Sequence, residues 1–187
     1  MNLQDKLVEG LDAVELLETY YPDITWVIAG GAVRDQIMEK PINDIDIYNN
    51  LNMKNKKVQN NFFKVLKSMF SDQLVDYPTT SYDSKYTRFH ITALELKNGN
   101  KFEFISVPDK HGSIVDTIAS FDIGLCQASI YNNELWTSKQ FKKDRENETL
   151  TLYPNRLTAG QIYRSVTYHI PKLQRKFPDH ELRISYE

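Results

Sequence analysis

Residues 29–35 read AGGAVRD and residues 43–48 read NDIDIY, and these two stretches carry the most structural information in the chain. The first one ends an apolar run at residues 24–29, whose β-branched and aromatic side chains predict a buried strand. The two glycines then turn the chain into a short helix at residues 32–38, which stops before a proline. The second stretch alternates polar and apolar residues, which predicts a half-buried strand. The order is therefore strand, glycine turn, helix and strand.

The two aspartates of the second stretch predict a cation site. Asp44 and Asp46 belong on one face of the strand, because side chains two residues apart point the same way, while Ile45 and Ile47 point into the core. Neighbouring carboxylates repel each other unless a cation lies between them. Their oxygens suit Mg²⁺, with Mn²⁺ as an alternative, and water and substrate phosphates would complete the shell. The simpler alternative is a solvated strand face.

The glycine pair predicts an anion site beside these acids. Gly30 and Gly31 lack a Cβ, so the backbone can come close to a ligand. The N-terminus of the following helix presents unpaired N–H groups and the positive end of its dipole, which favours phosphate. A phosphate site next to a cation site predicts binding of a nucleoside triphosphate and an in-line displacement.

Such a reaction needs a third carboxylate, to hold the cation or to deprotonate the attacking hydroxyl. Glu103 is the best candidate because it lies between apolar residues in the predicted strand 101–107, where an unpaired charge would be costly. That strand forms a hairpin with residues 90–96 through Asn98-Gly99, a strong turn signal. Glu95 is the second candidate for the third acid. As an alternative, Glu103 is only the partner of a cross-strand ion pair.

The rest of the chain predicts an α+β fold in which a small mixed sheet is flanked by helices. Apolar residues at helical spacing predict helices at residues 7–20, 56–70 and 158–177, and a strand is predicted at 134–137. The last helix is expected to be kinked at Pro171, and its inward residues are Ile162, Val166, Tyr168 and Leu173. Residues 71–88 predict an irregular loop, and residues 121–130 have a mixed pattern.

Composition excludes several classes of protein. The chain has 187 residues, of which 41% are hydrophobic, and this is enough for one domain with a core. A net charge of -2 argues against a generally basic nucleic-acid coat, although Lys172, Arg175, Lys176 and Arg183 could contact a phosphate backbone. The single cysteine, Cys126, cannot form an internal disulfide. No apolar run reaches the roughly 20 residues of a membrane span, and the polar start is no signal peptide. A cytoplasmic protein is expected, and its richness in Asn, Lys, Tyr and Ile fits an A/T-rich bacterial or phage genome.

The string Gly30-Gly31-x-Val33-Arg34-Asp35 followed by Asp44-x-Asp46 resembles the head domain of the tRNA nucleotidyltransferase (CCA-adding) and bacterial poly(A) polymerase family. That family belongs to the DNA polymerase β-like nucleotidyltransferase superfamily. The resemblance is sharp over residues 24–50 and looser over about 90–165. It implies a polymerase β-like fold, an NTP such as ATP, and an RNA 3′ end, for example of tRNA, as acceptor.

The resemblance also implies a role for individual residues. Asp44 and Asp46 would be the metal ligands, and Glu103 would be the third acid of the catalytic and metal-binding group. Gly30 and Gly31 would contact the triphosphate, and Asp122 would lie near the sugar of the incoming nucleotide. Arg34 would pair with phosphate or brace the helix.

The sequence departs from the family pattern in three ways. Ser120-Phe121 stand where the family has arginines, and Cys126 stands where asparagine is usual. Beyond a head-like domain at residues 1–157, only a neck-like helical segment at residues 158–187 is expected. The acceptor therefore stays open between an RNA 3′ end and a protein or small-molecule hydroxyl. A non-catalytic module that binds nucleotide or RNA is the alternative from another class.

Overall fold

The computed structural model of the protein describes residues 3–75, 79–81, 89–107 and 113–186. Its helices are α1 (Asp5–Tyr20), α2 (Gly31–Ile37), α3 (Lys56–Phe70), α4 (Ile114–Ala119), α5 (Lys139–Glu146), α6 (Ala159–Arg164) and α7 (Ile170–Lys176). Its strands are β1 (Trp26–Ala29), β2 (Asp44–Asn49), β3 (Thr79–Ser81), β4 (His90–Glu95), β5 (Lys101–Ser106), β6 (Ala128–Tyr131), β7 (Glu134–Thr137), β8 (Thr149–Leu152) and β9 (Glu181–Ile184). The α+β class predicted from the sequence is confirmed.

The strands form one mixed sheet of seven strands in the order β3-β4-β5-β2-β1-β6-β7 and a second sheet of two strands, β8-β9. Within the larger sheet β2 and β5 are parallel, and this pairing places Asp46 directly opposite Glu103. The other pairs, β1 with β2 and β4 with β5 among them, are antiparallel. The sheet therefore brings the predicted third acid next to the two aspartates, although more than fifty residues of chain separate them.

Each face of the large sheet has its own apolar core, because alternate side chains of a strand point to opposite faces. On one face Ile45 and Ile47, which are 1% and 0% exposed, pack with buried residues of α1 and α3, such as Leu17 and Phe62. This confirms the predicted inward side of β2. On the other face Tyr48 packs with residues of α4. Asp44 and Asp46 share this second face, away from α1 and α3.

The C-terminal segment differs from the single helix that the sequence predicts. A π-helical turn at Ser165–His169 separates α6 from α7, and Pro171 lies in the first turn of α7. The wider turn rotates the helix face, so Val166 and Tyr168 are 52% and 61% exposed and the prediction that they point inward is wrong. Leu173 is buried as predicted, and Phe177 belongs to the same apolar core as Ile45 and Ile47.

Four further elements escape the sequence patterns, namely α4, α5, β8 and β9. Within residues 121–130 the structure has a short 3₁₀ turn at Gly124–Cys126 followed by β6. Within the predicted loop 71–88 the strand β3 is present, while residues 76–78 and 82–88 lie outside the described residues. Among the helices that are described, none combines the length and the apolar character that crossing a bilayer requires.

Candidate active site

The glycine turn, the start of β2, the loop after α4 and the C-terminal helix meet around a pocket of about 250 Å³. Six of the predicted site residues line it: Gly30, Gly31, Arg34, Asp44, Asp46 and Asp122. The seventh, Glu103, lies beside the pocket on the neighbouring strand, opposite Asp46. The structure thus brings together residues that the sequence predicted to act together.

Gly30 is the point at which the backbone comes closest to the acids. Its φ of +74° favours glycine, and it is the residue that caps the N-terminus of α2. A Cβ added to it would lie 3.7 Å from Oδ2 of Asp46 and 3.6 Å from Cε2 of Phe121. The glycine therefore leaves a narrow open space next to the carboxylate of Asp46.

The carboxylates of Asp44, Asp46 and Glu103 form the electrostatic centre of the site. Asp46 and Glu103 are paired on adjacent parallel strands, which lie about 4.8 Å apart. All three side chains are half-buried, and none of them has a hydrogen bond or ion pair with the described residues. A cluster of like charges without partners is costly for the fold.

Titration of the acids reflects this cost. Burial, together with the charges of Asp44 and Glu103, raises the pKa of Asp46 to about 8. Burial and the charge of Asp44 also raise the pKa of Glu103. Lys172 opposes both shifts from the C-terminal helix. The protein alone therefore does not neutralise the charge that it gathers here.

The donor set fits a hard divalent cation. Across the described residues no group of three or more His, Cys, Asp or Glu side chains forms a ready-made metal cage. A cation at Asp44 and Asp46 would therefore take further ligands from water and from a bound substrate, as Mg²⁺ and Mn²⁺ commonly do. Carboxylate oxygens that lack partners among the described residues are suitable ligands for such an ion.

Arg34 is held by the protein itself. Arg34 is 5% exposed, and its Nε and Nη2 donate to Oδ1 of Asp35 at 2.8 and 2.7 Å. Its Nη1 donates to Sγ of Cys126 at 3.1 Å. The second carboxylate oxygen of Asp35 pairs with Lys176, which also donates to the carbonyl oxygen of Pro41. Of the two roles expected for Arg34, these contacts match the bracing of the helix.

Asp122 connects the head to the C-terminal helix. Its Oδ2 accepts a hydrogen bond from Oγ of Ser165 at 2.6 Å. The residue before it, Phe121, packs against Tyr48 with ring centroids 5.5 Å apart. An aromatic ring therefore occupies the place where the resemblance led us to look for arginine.

The C-terminal helix supplies four further pocket residues: His169, Lys172, Leu173 and Lys176. From the sequence Lys172 and Lys176 were expected in a basic patch and Leu173 in the core, but none of the four was predicted at this site. Their spacing of three and four residues is the signal that could have placed them on one face. Burial lowers the pKa of His169, and the charges of Arg164 and Lys172 lower it further, while Asp122 opposes them. The basic residues predicted to act together are engaged separately, since Lys176 pairs with Asp35 and Arg183 pairs with Glu181.

Comparison with known proteins supports the fold. A family model described as "Gabija anti-defense 2 family protein" matches residues 4–147. No curated protein sequence matches the chain. Among solved structures, the Thermotoga maritima CCA-adding enzyme complexed with tRNA is 16% identical at a TM-score of 0.67, over 98% of this chain and 40% of that one.

Two further structures are of a CCA-adding enzyme in complex with ATP and with CTP. They are 16% and 17% identical at TM-scores of 0.64 and 0.62, over 96% and 98% of this chain and 40% of each of those chains. The chain thus spans about two-fifths of the length of these structures. The similarity shows that the protein has the polymerase β-like nucleotidyltransferase fold.

Proposed function

The chain belongs to the Gabija anti-defense 2 family, and we propose that it is a divalent-cation-dependent nucleotidyltransferase. It transfers a nucleoside monophosphate from an NTP to an acceptor hydroxyl. The observation that carries this proposal is a group of three carboxylates that have no partner among the described residues and lie beside the open space at Gly30. They are Asp44, Asp46 and Glu103. Strongly perturbed acids in a pocket are typical of functional sites, because a purely structural carboxylate is normally hydrogen-bonded.

In this proposal Asp44 and Asp46 would hold Mg²⁺ or Mn²⁺, and Glu103 would either complete this metal group or act as the base. The cation supplies positive charge that neutralises the carboxylates and the phosphates in the transition state. The acceptor oxygen forms a bond to the α-phosphorus, the bond from that phosphorus to the bridging oxygen breaks, and pyrophosphate leaves. Glu103, whose pKa is raised by burial, is suited to accept the proton of the attacking hydroxyl.

The other pocket residues bind and orient. The turn at Gly30 and Gly31 leaves room for phosphate next to Asp46, because a side chain there would fill the space. Asp122, oriented by Ser165, faces the sugar of the nucleotide. Arg34 connects α2 to the 3₁₀ turn through Cys126 and contributes its charge to Asp46 without leaving its pair with Asp35.

An RNA 3′ end, such as that of tRNA, is the acceptor that we favour. Support comes from the similar structures, which are described as CCA-adding enzymes in complex with tRNA, ATP and CTP. A protein hydroxyl is the second candidate. The chain covers about 40% of the tRNA-bound structure, and the family description names an action against the Gabija defence. Both observations support an acceptor within that defence.

Transfer of radioactive label tests the reaction and the acceptor together. The protein is incubated with Mg²⁺, each α-³²P-labelled NTP in turn, and total cellular RNA and protein, beside the nearly isosteric variant Asp46→Asn. We expect label in the RNA fraction with the natural protein and none with the variant. Label in protein would favour the second acceptor. Nucleotide binding without transfer by any NTP would contradict the enzymatic proposal and favour a binding module.

A further inference from the structure

The cations around the pocket fall into two groups. Arg34 and Lys176 are both paired with Asp35, so both side chains are already engaged by the protein, although one carboxylate balances only one of the two charges. Lys172 lines the same pocket from α7, and its side chain is exposed. Within the described parts of the chain its ammonium group has no hydrogen bond or ion pair. It is therefore the cation of the pocket that is available to a ligand.

Lys172 shares the pocket with two of the three acids, Asp44 and Asp46 on β2. Yet it forms no direct ion pair with either carboxylate. A cation and a group of anions that share one pocket without contact leave a gap between them. An anionic ligand in this gap would contact Lys172 on one side. On its other side a divalent cation would link it to the carboxylates.

The backbone that carries Lys172 is firmly attached to the head. Leu173 and Phe177 on the same segment are buried in the core. Ser165 donates a hydrogen bond to Asp122, and Lys176 forms an ion pair with Asp35. These contacts lie before and after Lys172 in the chain and fix the position of its backbone. Its Cα is thus set relative to the pocket, and only the flexible side chain has to order when a ligand binds.

The two residues that precede Asp122 offer no positive charge. Ser120 and Phe121 precede it, and Phe121 is packed on Tyr48. We propose that Lys172 binds the triphosphate of the nucleotide and stabilises the pyrophosphate as it leaves. This inference rests on the proposed function, since it names the residue that holds the phosphates of the same substrate. The C-terminal helix is then part of the active site.

Titration calorimetry measures the binding of inorganic tripolyphosphate in the presence of Mg²⁺. It tests the proposal without requiring the transfer reaction. The variant Lys172→Met removes the charge and keeps most of the apolar stem. The matched control is Arg175→Met, which removes one charge from an exposed residue of the same helix that does not line the pocket. We expect Lys172→Met to weaken binding about tenfold, Arg175→Met to change it less than about twofold, and Lys172→Arg to restore most of it.

Three results would overturn the proposal. They are unchanged affinity of Lys172→Met, an equal loss in Arg175→Met, and a natural protein that does not bind tripolyphosphate at all. Label transfer separates this inference from the proposed function. Binding that depends on Lys172 without any transfer would refute the reaction alone. Transfer that depends on Asp46, with an unchanged KM for NTP in Lys172→Met, would refute the role of Lys172 alone.

Discussion

Asp144 and Asp46 both have limited exposure to solvent, but the contacts of their carboxylates differ. Asp144, on α5, is 0% exposed and accepts hydrogen bonds from Gln140 Nε2 at 2.7 Å and Thr149 Oγ1 at 2.8 Å. It also accepts from the backbone N and the Oγ1 of Thr151 at 3.1 and 2.6 Å. Asp46 accepts no hydrogen bond from any described residue.

The difference separates a structural carboxylate from a functional one. Four hydrogen bonds replace the water that Asp144 loses on burial, so its charge becomes part of the scaffold that joins α5 to β8. Asp46 loses water without such replacement, and its pKa rises to about 8. Its free oxygens are retained for a ligand from outside the chain. Removing each carboxylate should therefore have opposite consequences.

The largest effect is expected for the variant Asp46→Asn in nucleotide transfer. Loss of one of the two paired aspartates should reduce kcat about 1,000-fold, because the carboxylate is needed to hold the cation. The thermal unfolding temperature should be unchanged or higher, because repulsion from Asp44 and Glu103 is relieved. Activity and unfolding are measured on the same preparation. Retained activity, or a clear loss of stability, would show that Asp46 is a structural residue like Asp144.

The converse variant, Asp144→Ala, should act on stability. It leaves the donors of Gln140, Thr149 and Thr151 without their acceptor, and we expect a loss of about 3 kcal/mol in the free energy of unfolding. Urea denaturation measures it. Glu146→Ala on the same helix is the control, since Glu146 is exposed and its loss should cost less than about 0.5 kcal/mol. A loss below about 1 kcal/mol for Asp144→Ala would contradict the comparison.

Gly124→Ala tests how closely the backbone is fitted around Asp144. An added Cβ would lie 2.4 Å from Oδ2 of Asp144 and 2.5 Å from Cγ of Gln140, so both side chains would have to move. We expect a loss of about 2 kcal/mol, measured in the same denaturation experiment. Gly99→Ala is not a suitable control because its φ is positive. The single variant Gln140→Ala is the reference background, because it also removes the hydrogen bond to Asp144. A smaller loss from Gly124→Ala in that background would identify Gln140 as the side chain that clashes.

The stability of the protein should depend on pH, because Asp46 has no hydrogen-bond partner among the described residues. Its pKa is higher in the folded protein than the value near 3.8 of an ordinary aspartate, so the carboxyl group favours folding at low pH. That contribution is lost as the pH rises from about 4 through about 8. Because solvent screens a half-buried group, we expect a loss of about 1.5 kcal/mol, or about 4 °C in the unfolding temperature.

The comparison of natural protein and Asp46→Asn isolates this contribution, since the other groups titrate in both. Without divalent cations the two unfolding temperatures should diverge between pH 5 and pH 9, with the variant higher at alkaline pH. Mg²⁺ should raise the unfolding temperature of the natural protein at pH 8.5 and have little effect on the variant. Parallel curves, or an equal response to Mg²⁺, would contradict a cation site at Asp46.

Much of the fold follows from local patterns in the sequence. The helix α3 begins and ends at the predicted residues, and so does β7. Strand β2 alternates as expected, which places Ile45 and Ile47 in the core. By contrast α5 carries mostly charged residues and a single apolar residue, the buried Phe141, so its sequence has no apolar stripe. Its position depends on Asp144 and Ser138, which are capping and network residues rather than a periodic pattern.

The candidate site divides in the same way. Spacing along the chain determines that Asp44 and Asp46 share a face and that a glycine turn precedes them, because these relations extend over only a few residues. Tertiary structure decides that Lys176, which lies 141 positions after Asp35, joins the pair of Asp35 and Arg34, and that Lys172 has no partner in the part of the chain that the structure describes. The physical reason is that an ion pair forms between whichever charges the packing brings within reach. The spacing of residues along the chain carries no such information, and only the folded chain selects which charges are compensated and which remain for a ligand.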